Sequence, residues 1–231
     1  MELLYQDNAI IVCVKPIGAD SEDGKPNCMP ALLRAALGLA DDAPIYTVHR
    51  LDKQVSGVMV YAKTKQAAAV LSTQMQQHQF TKEYRAVVEG ILSQPLQTEN
   101  TPPLPSGRWE DLLYHDKRKN KVFAVKKERK GVKHAALRYQ VLGQIAMAAT
   151  PALAQNLTLL EIALETGRTH QIRVQCASRK LPLVGDSRYG SKTKGCDIAL
   201  FSHKIAFYHP ITKEFVSFTK EVPETLPWCL F

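Results

Sequence analysis

The chain has 231 residues, 45% hydrophobic and 23% charged, enough apolar content for a real core, which excludes a disordered chain. No run approaches the ~18 apolar residues of a membrane span, and the opening MELLYQDNAIIVCVKP lacks a basic leader and cleavage site, so a cytoplasmic protein without a membrane partner is expected. The net charge of +8 favours polyanions as partners.

AIIVCVKPIG, Ala9 to Gly18, reads as a strand ended by Lys15-Pro16, with Gly18 in the turn. MPALLRAALG reads as a short helix stopped by Gly38. GVMVYAK is a second strand, and Thr64 then caps a helix through KQAAAVLSTQMQQHQF, with Ala67, Val70, Leu71, Gln74 and Met75 at helical spacing. KEYRAVVEG alternates as a strand that puts Tyr84, Ala86 and Val88 on one face. The Pro-rich QPLQTENTPPLPSGR, Gln94 to Arg108, is the best candidate for a long exposed loop.

Further along, AALRYQVLGQIAM and LTLLEIALE are strand-like, and AATPALAQN between them suggests an antiparallel pair. RTHQIRVQCASRK reads as a helix starting just after Thr166-Gly167. IALFSHKIAFYHP and EFVSFTKEV are two last strands, joined around Pro210-Ile211-Thr212. No internal repeat is present. Strands outnumber scattered helices, which points to an α+β fold with a mixed, mainly antiparallel sheet rather than regular βαβ repeats.

The five cysteines, Cys13, Cys28, Cys176, Cys196 and Cys229, fall at wide, irregular spacings. An odd count without an export signal argues for reduced thiols, and without closely spaced ligand pairs a zinc site is not expected. Charge, in contrast, is concentrated. Nine of the 30 Lys and Arg lie between Lys117 and Lys133, opposed there only by Glu128. This segment is either a solvated surface hairpin or an arm that tracks phosphates.

Four stretches offer chemistry. In HRLDKQVSG, Asp52 lies between basic side chains, which keep a carboxylate ionised; turn aspartates more often bond to nearby backbone. In LETGRTHQIRV, Arg168, His170 and Arg173 load the expected first helical turn with cations against the dipole, so an anion should offset them. That anion is a bound phosphate or a carboxylate such as Asp52; His170 alone reads as a structural histidine. In LPLVGDSRYG, a strand breaks into a turn where Asp186 bonds to backbone. In KEYRAVVEG, Tyr84 is a core aromatic, a base-stacking platform or a general acid/base.

These motifs, with LYQDNAIIVCVKPIG and KIAFYHP, occur in an order and spacing that resembles the RluA-type pseudouridine synthases, from about Leu4 to Val222. His49, Arg50, Leu51, Asp52, Ser56 and Gly57 match the family's His-Arg-Leu-Asp-x-x-Thr-Ser-Gly, while Val55 stands where Thr is usual. Gln175 and Phe201 stand where histidine is frequent.

The resemblance implies the pseudouridine synthase catalytic fold, a sheet with flanking helices and a central cleft, as a single domain over residues 1–231 without an S4-like RNA-binding domain. It implies that Asp52 attacks the target uridine, that Arg168 pairs with it, and that Tyr84 packs against the flipped base and helps move a proton. Arg50 would fill the gap left in the RNA stack, and Ile172 would wall the base pocket. His49 and Arg173 join the substrate-binding set, with Lys117, Arg118, Lys119, Lys126, Lys127, Arg129 and Lys130 as phosphate contacts. The expected enzyme is a monomer that isomerises uridine in ribosomal or transfer RNA, with no DNA partner and neither cofactor nor metal. A non-catalytic RNA-binding relative and a nucleoside glycosidic-bond hydrolase are the rival readings.

Overall fold

The computed structural model describes residues 1–25, 27–92, 105–150 and 153–231, with no side chains described for 147–150 and 153–155. The elements run β1 (Glu2–Gln6), β2 (Ile10–Lys15), α1 (Met29–Leu37), β3 (Tyr46–Thr47), β4 (Ser56–Ala62) and α2 (Lys65–Gln76). They continue as β5 (Thr81–Glu89), β6 (Ser106–Asp116), β7 (Lys121–Val125), β8 (Val132–Thr150) and β9 (Leu153–Leu164). Last come α3 (Gln171–Ser178), β10 (Leu200–Tyr208) and β11 (Phe215–Thr219). The chain forms two compact units, one of residues 1–83 with 201–221, the other of residues 84–200 with 222–231.

In the first unit the strand order is β1-β2-β4-β10, with β11 on β10 and β3 on β4. The β2 and β4 sequences are apolar on both faces because both faces are covered, and nearly every residue of each is buried. β2 runs antiparallel to β4, while β4 and β10 are parallel at Gly57 and Ser202. Those backbones lie so close at this point that a Cβ on Gly57 (φ 128°) would collide with the Ser202 main chain. That contact explains the Ser-Gly after the Asp52 loop.

α2 begins at Thr64, whose hydroxyl accepts from the Ala67 amide at 3.1 Å. Its Ala67 and Leu71 pack with Ile10, Val12, Val58, Val60, Ile205 and Phe207. Each large apolar side chain buried in this way contributes roughly 1.5–3 kcal/mol. The helix stops at Gln76, four residues short of the expected Phe80. His78 takes a left-handed φ of 57°, and the turn frees Phe80 to enter the same core.

In the second unit the order is β5-β9-β8-β6-β7. The β8–β9 ladder continues to Thr150 and Leu153, well into the stretch expected as a loop. Its residues there are small and uniform, so no alternation in the sequence marks them as strand. Of the expected loop at 94–108, residues 94–104 lie outside the described residues. Ser106–Arg108 are already β6, paired with Arg138–Gln140 of β8. Two cores form here, one around Val87, Leu157, Val184 and Ala199, the other around Leu113, Val122, Ala135, Val174 and Tyr189.

The expected strand in LPLVGDSRYG is only a bridge between Leu183 and Val88, followed by a single 3-10 turn at Ser187–Tyr189. The mixed α/β architecture with a mostly antiparallel sheet is as the sequence suggests. All five cysteines are free thiols. Among the described residues no helix is long and apolar enough to cross a membrane.

Candidate active site

The Asp52 loop connects β3 to β4 and alternates inward and outward. His49, Leu51 and Val55 are buried, while Arg50 is exposed and Asp52 half-buried. Each inward residue is fixed. His49 Nε2 accepts the Val60 amide at 3.1 Å, and its ring lies 5.5 Å from that of Phe80. Burial, reinforced by the Lys82 charge, pushes this imidazole down to about 3, so it is neutral. Ser21 Oγ donates to the Leu51 carbonyl at 2.8 Å and accepts its amide at 3.1 Å.

Val55 closes the turn by donating its amide to the Asp52 carbonyl at 2.9 Å. Its side chain is 2% exposed, so an apolar residue suits the position where the resemblance leads one to expect threonine.

Lys15 carries no signal in the sequence. It is 0% exposed, and its Nζ donates to the carbonyls of Pro16 at 2.9 Å and Lys53 at 3.2 Å. The Gly18 amide donates to the same Lys53 carbonyl at 2.8 Å. Burial pushes the Lys15 ammonium down to about 8, against the opposing pull of Asp20 and Asp52. A charge is thus sealed directly beneath the loop that presents Asp52.

Outward on the loop, Arg50 pairs with Glu22 at 2.9 Å, with both side chains more than half exposed. Lys53 reaches Asp20 at 3.2 Å.

In the second unit the segment before α3 carries Arg168. The helix starts at Gln171, later than expected, because His170 adopts a left-handed conformation (φ 51°) ahead of it. The buried Gln171 side chain organises the approach. Its Oε1 accepts from the Arg168 amide at 2.9 Å and the Thr166 hydroxyl at 2.8 Å, while its Nε2 donates to the Ala136 carbonyl at 3.0 Å. Arg168 is exposed, and its Nε donates to the His134 carbonyl at 2.9 Å.

Arg168 and His170 therefore precede the helix, and of the three expected cations only Arg173 is on it. Its anionic partner is Asp186, which was expected to bond to backbone. Arg173 Nε and Nη2 meet the two carboxylate oxygens at 2.7 and 2.9 Å, with both side chains almost fully buried. Ile172 is buried beside it, and Tyr84 on β5 is buried at 5% exposure.

The basic segment is a hairpin. Lys117–Asn120 turn between β6 and β7, with Asp116 Oδ1 accepting the Arg118 and Lys119 amides at 3.0 and 3.2 Å. Lys117, Arg118, Lys119, Lys126, Lys127, Arg129 and Lys130 are all exposed. The Arg129 guanidinium lies 4.6 Å over the Tyr114 ring.

A family model described as RNA pseudouridylate synthase matches residues 9–178. An uncharacterized RNA pseudouridine synthase of Bacillus subtilis, YhcT, is 33% identical over 94% of this chain, which spans 67% of that protein. The ribosomal large subunit pseudouridine synthase D of Neisseria meningitidis serogroup A is 32% identical over 98% of the chain, which spans 59% of that relative. Among solved structures, human RNA pseudouridylate synthase domain containing 1 has the same fold. It has a TM-score of 0.74 and 20% identity, covering 97% of this chain and 84% of that one.

Proposed function

The chain belongs to the RNA pseudouridylate synthase family, and from that premise we propose that it isomerises uridines of ribosomal RNA to pseudouridine, with Asp52 as the reacting carboxylate. The observation that carries the assignment is the construction of the Asp52 loop. His49 and Leu51 are pinned by Val60 and Ser21, Lys15 holds the Lys53 main chain, and Asp52 is held half-buried at the loop's outer side. A turn aspartate with only a capping role would not need a buried ammonium beneath it.

The chemistry is an internal exchange. The N1–C1′ bond of uridine breaks, the uracil rotates, and a C5–C1′ bond forms. C5 then loses its proton and N1 gains one, so the product is an isomer of the substrate. The reaction needs a fixed carboxylate, an apolar surface for the turning base and exclusion of water from C1′. Asp52 supplies the first. Tyr84 and Ile172 are the apolar groups assigned to the base, and Arg168 supplies positive charge to the reacting centre. The expectation that residues 1–231 act as one catalytic domain belongs to the same reading.

Extruding the nucleotide costs roughly a few kcal/mol. Arg50 is placed to offset this by occupying the vacated stack. Its pairing with Glu22 is solvent-exposed and worth no more than about 1 kcal/mol, so the side chain can leave it for RNA. The basic hairpin supplies the phosphate contacts. His49 and Arg173 are interior, and their part in substrate binding is to hold the segments that carry Asp52 and Arg168. The name of the Neisseria relative favours large-subunit ribosomal RNA over transfer RNA as the first substrate to assay.

The test uses uridine-labelled ribosomal and transfer RNA and analyses the products. Pseudouridine without free uracil is expected, and Asp52→Asn should abolish it while RNA binding persists. Release of free uracil would instead identify a hydrolase. Full turnover by the Asp52→Asn variant would remove the carboxylate assignment.

A further inference from the structure

Three side chains of the turn at 186–189 reach different parts of the second unit. Asp186 holds α3 through Arg173. The Arg188 guanidinium donates to the Asn120 carbonyl at 2.5 Å, at the tip of the β6–β7 hairpin. Tyr189 serves both sides at once. Its hydroxyl accepts the Val122 amide of β7 at 2.9 Å and lies 2.9 Å from His170 Nδ1.

The pattern has a physical cause. Among the described residues β7 ends the strand order of its unit and its outward amides have no strand partner, and the Tyr189 hydroxyl satisfies that of Val122. A phenol that accepts one N–H can still donate its own proton or accept a second N–H, so it bonds His170 Nδ1 in either tautomer. The ring is 8% exposed and packed with Leu113, Val122, Ala135 and Val174, so the hydroxyl is fixed in place. Lys121 and Arg173 lie 5.4 and 5.1 Å from the ring centroid, adding one cation from the hairpin and one from α3. His170 is where the Arg168 segment turns into α3, two residues beyond Arg168 itself. Arg168 also bonds to the His134 carbonyl, one residue past the last lysine of the basic segment.

We propose that this turn is a clasp through which RNA held on the basic hairpin sets the placement of Arg168, with Tyr189 as its central positioning residue. The proposal rests on the RNA pseudouridine synthase reading above. RNA engagement at Lys117–Lys130 tightens β7, Tyr189 transmits the change to His170, and Arg168 is brought to its working position. The clasp thus raises turnover on a substrate long enough to occupy the hairpin above the basal turnover of a shorter one.

The experiment compares wild type with Tyr189→Phe, which keeps the ring and its packing and removes only the hydroxyl. Arg188→Ala, at an exposed site, serves as a second variant. Two RNAs are used, a uridine-containing stem-loop whose duplex reaches the hairpin and a short single-stranded oligouridylate that does not. On the stem-loop, Tyr189→Phe should lower kcat about tenfold, within the range usual for coupled sites, and leave the dissociation constant unchanged. On the oligouridylate it should match wild type. Amide exchange at residues 166–171 should slow when wild type binds the stem-loop, and the slowing should be lost in Tyr189→Phe and reduced in Arg188→Ala.

Equal losses of kcat on both RNAs would mean a purely structural role and overturn the clasp, as would unchanged exchange at 166–171 when wild type binds RNA. Tyr189-dependent protection without any pseudouridine formed by wild type would sustain the clasp and overturn the assigned activity.

Discussion

The Lys15 ammonium, fully buried, donates to the main-chain carbonyl of Lys53, the residue immediately after Asp52. A buried cation bonded only to carbonyls costs stability unless its position has a use. Here it anchors the loop that displays the candidate carboxylate, and its field adds to the positive surroundings of Asp52.

This burial has a testable pH signature. The Lys15 pKa falls from 10.5 to about 8 on folding. Between those values the unfolded chain binds the extra proton, so this residue's contribution to stability rises with pH across that window. Below about 8 the ammonium is charged in both states, and the cost of burying it is present in full. The unfolding free energy of wild type minus that of Lys15→Met should therefore grow from neutral pH towards pH 10, measured by urea titration. A difference that stays flat across the window would contradict the burial of a charged Lys15.

Arg173 and Asp186 form a bidentate ion pair inside the second unit. Removing one partner strands the other as a buried charge, at a cost of about 3–5 kcal/mol. Asp186→Asn and Arg173→Leu should each show that loss in denaturant unfolding, and the double variant should lose less than the sum. Additive losses would show that the two groups do not act as a pair.

Replacing Lys126, Lys127, Arg129 and Lys130 with alanine removes four exposed cations of the basic segment. RNA binding should weaken, and the slope of log affinity against log salt should become shallower, because fewer counterions are released. Circular dichroism should be unchanged, since none of the four is buried. An unaltered slope would return the hairpin to the role of a solvated surface element.

Much of the architecture was open to sequence reading for a simple reason. β2 and β4 are continuous apolar runs and α2 has apolar residues at helical spacing, so local pattern and tertiary burial agree. Thr64 and Gly38 marked helix ends by their own chemistry. The expectations that shifted were those where a long-range partner overrides local pattern. α3 starts late because Gln171 binds back to Arg168 and Thr166, and Asp186 leaves its local backbone for a guanidinium from another element. The β8–β9 ladder extends through residues with no strand-like alternation because pairing alone satisfies their backbone.

The sequence by itself determined the family, strands β2, β4, β5, β8, β9, β10 and β11, the three helices, the reactive-looking aspartate and the cluster of cations, since each rests on residue identity and short-range order. Tertiary structure alone decided which residues hold those groups. Lys15 beneath the Asp52 loop, Ser21 against Leu51 and Tyr189 between Val122 and His170 all meet partners distant in the chain. A buried polar group must find a partner wherever the fold brings one within reach, and no local spacing records that distance. HRLDKQVSG names the carboxylate, but only the packed interior around it explains why that loop holds still.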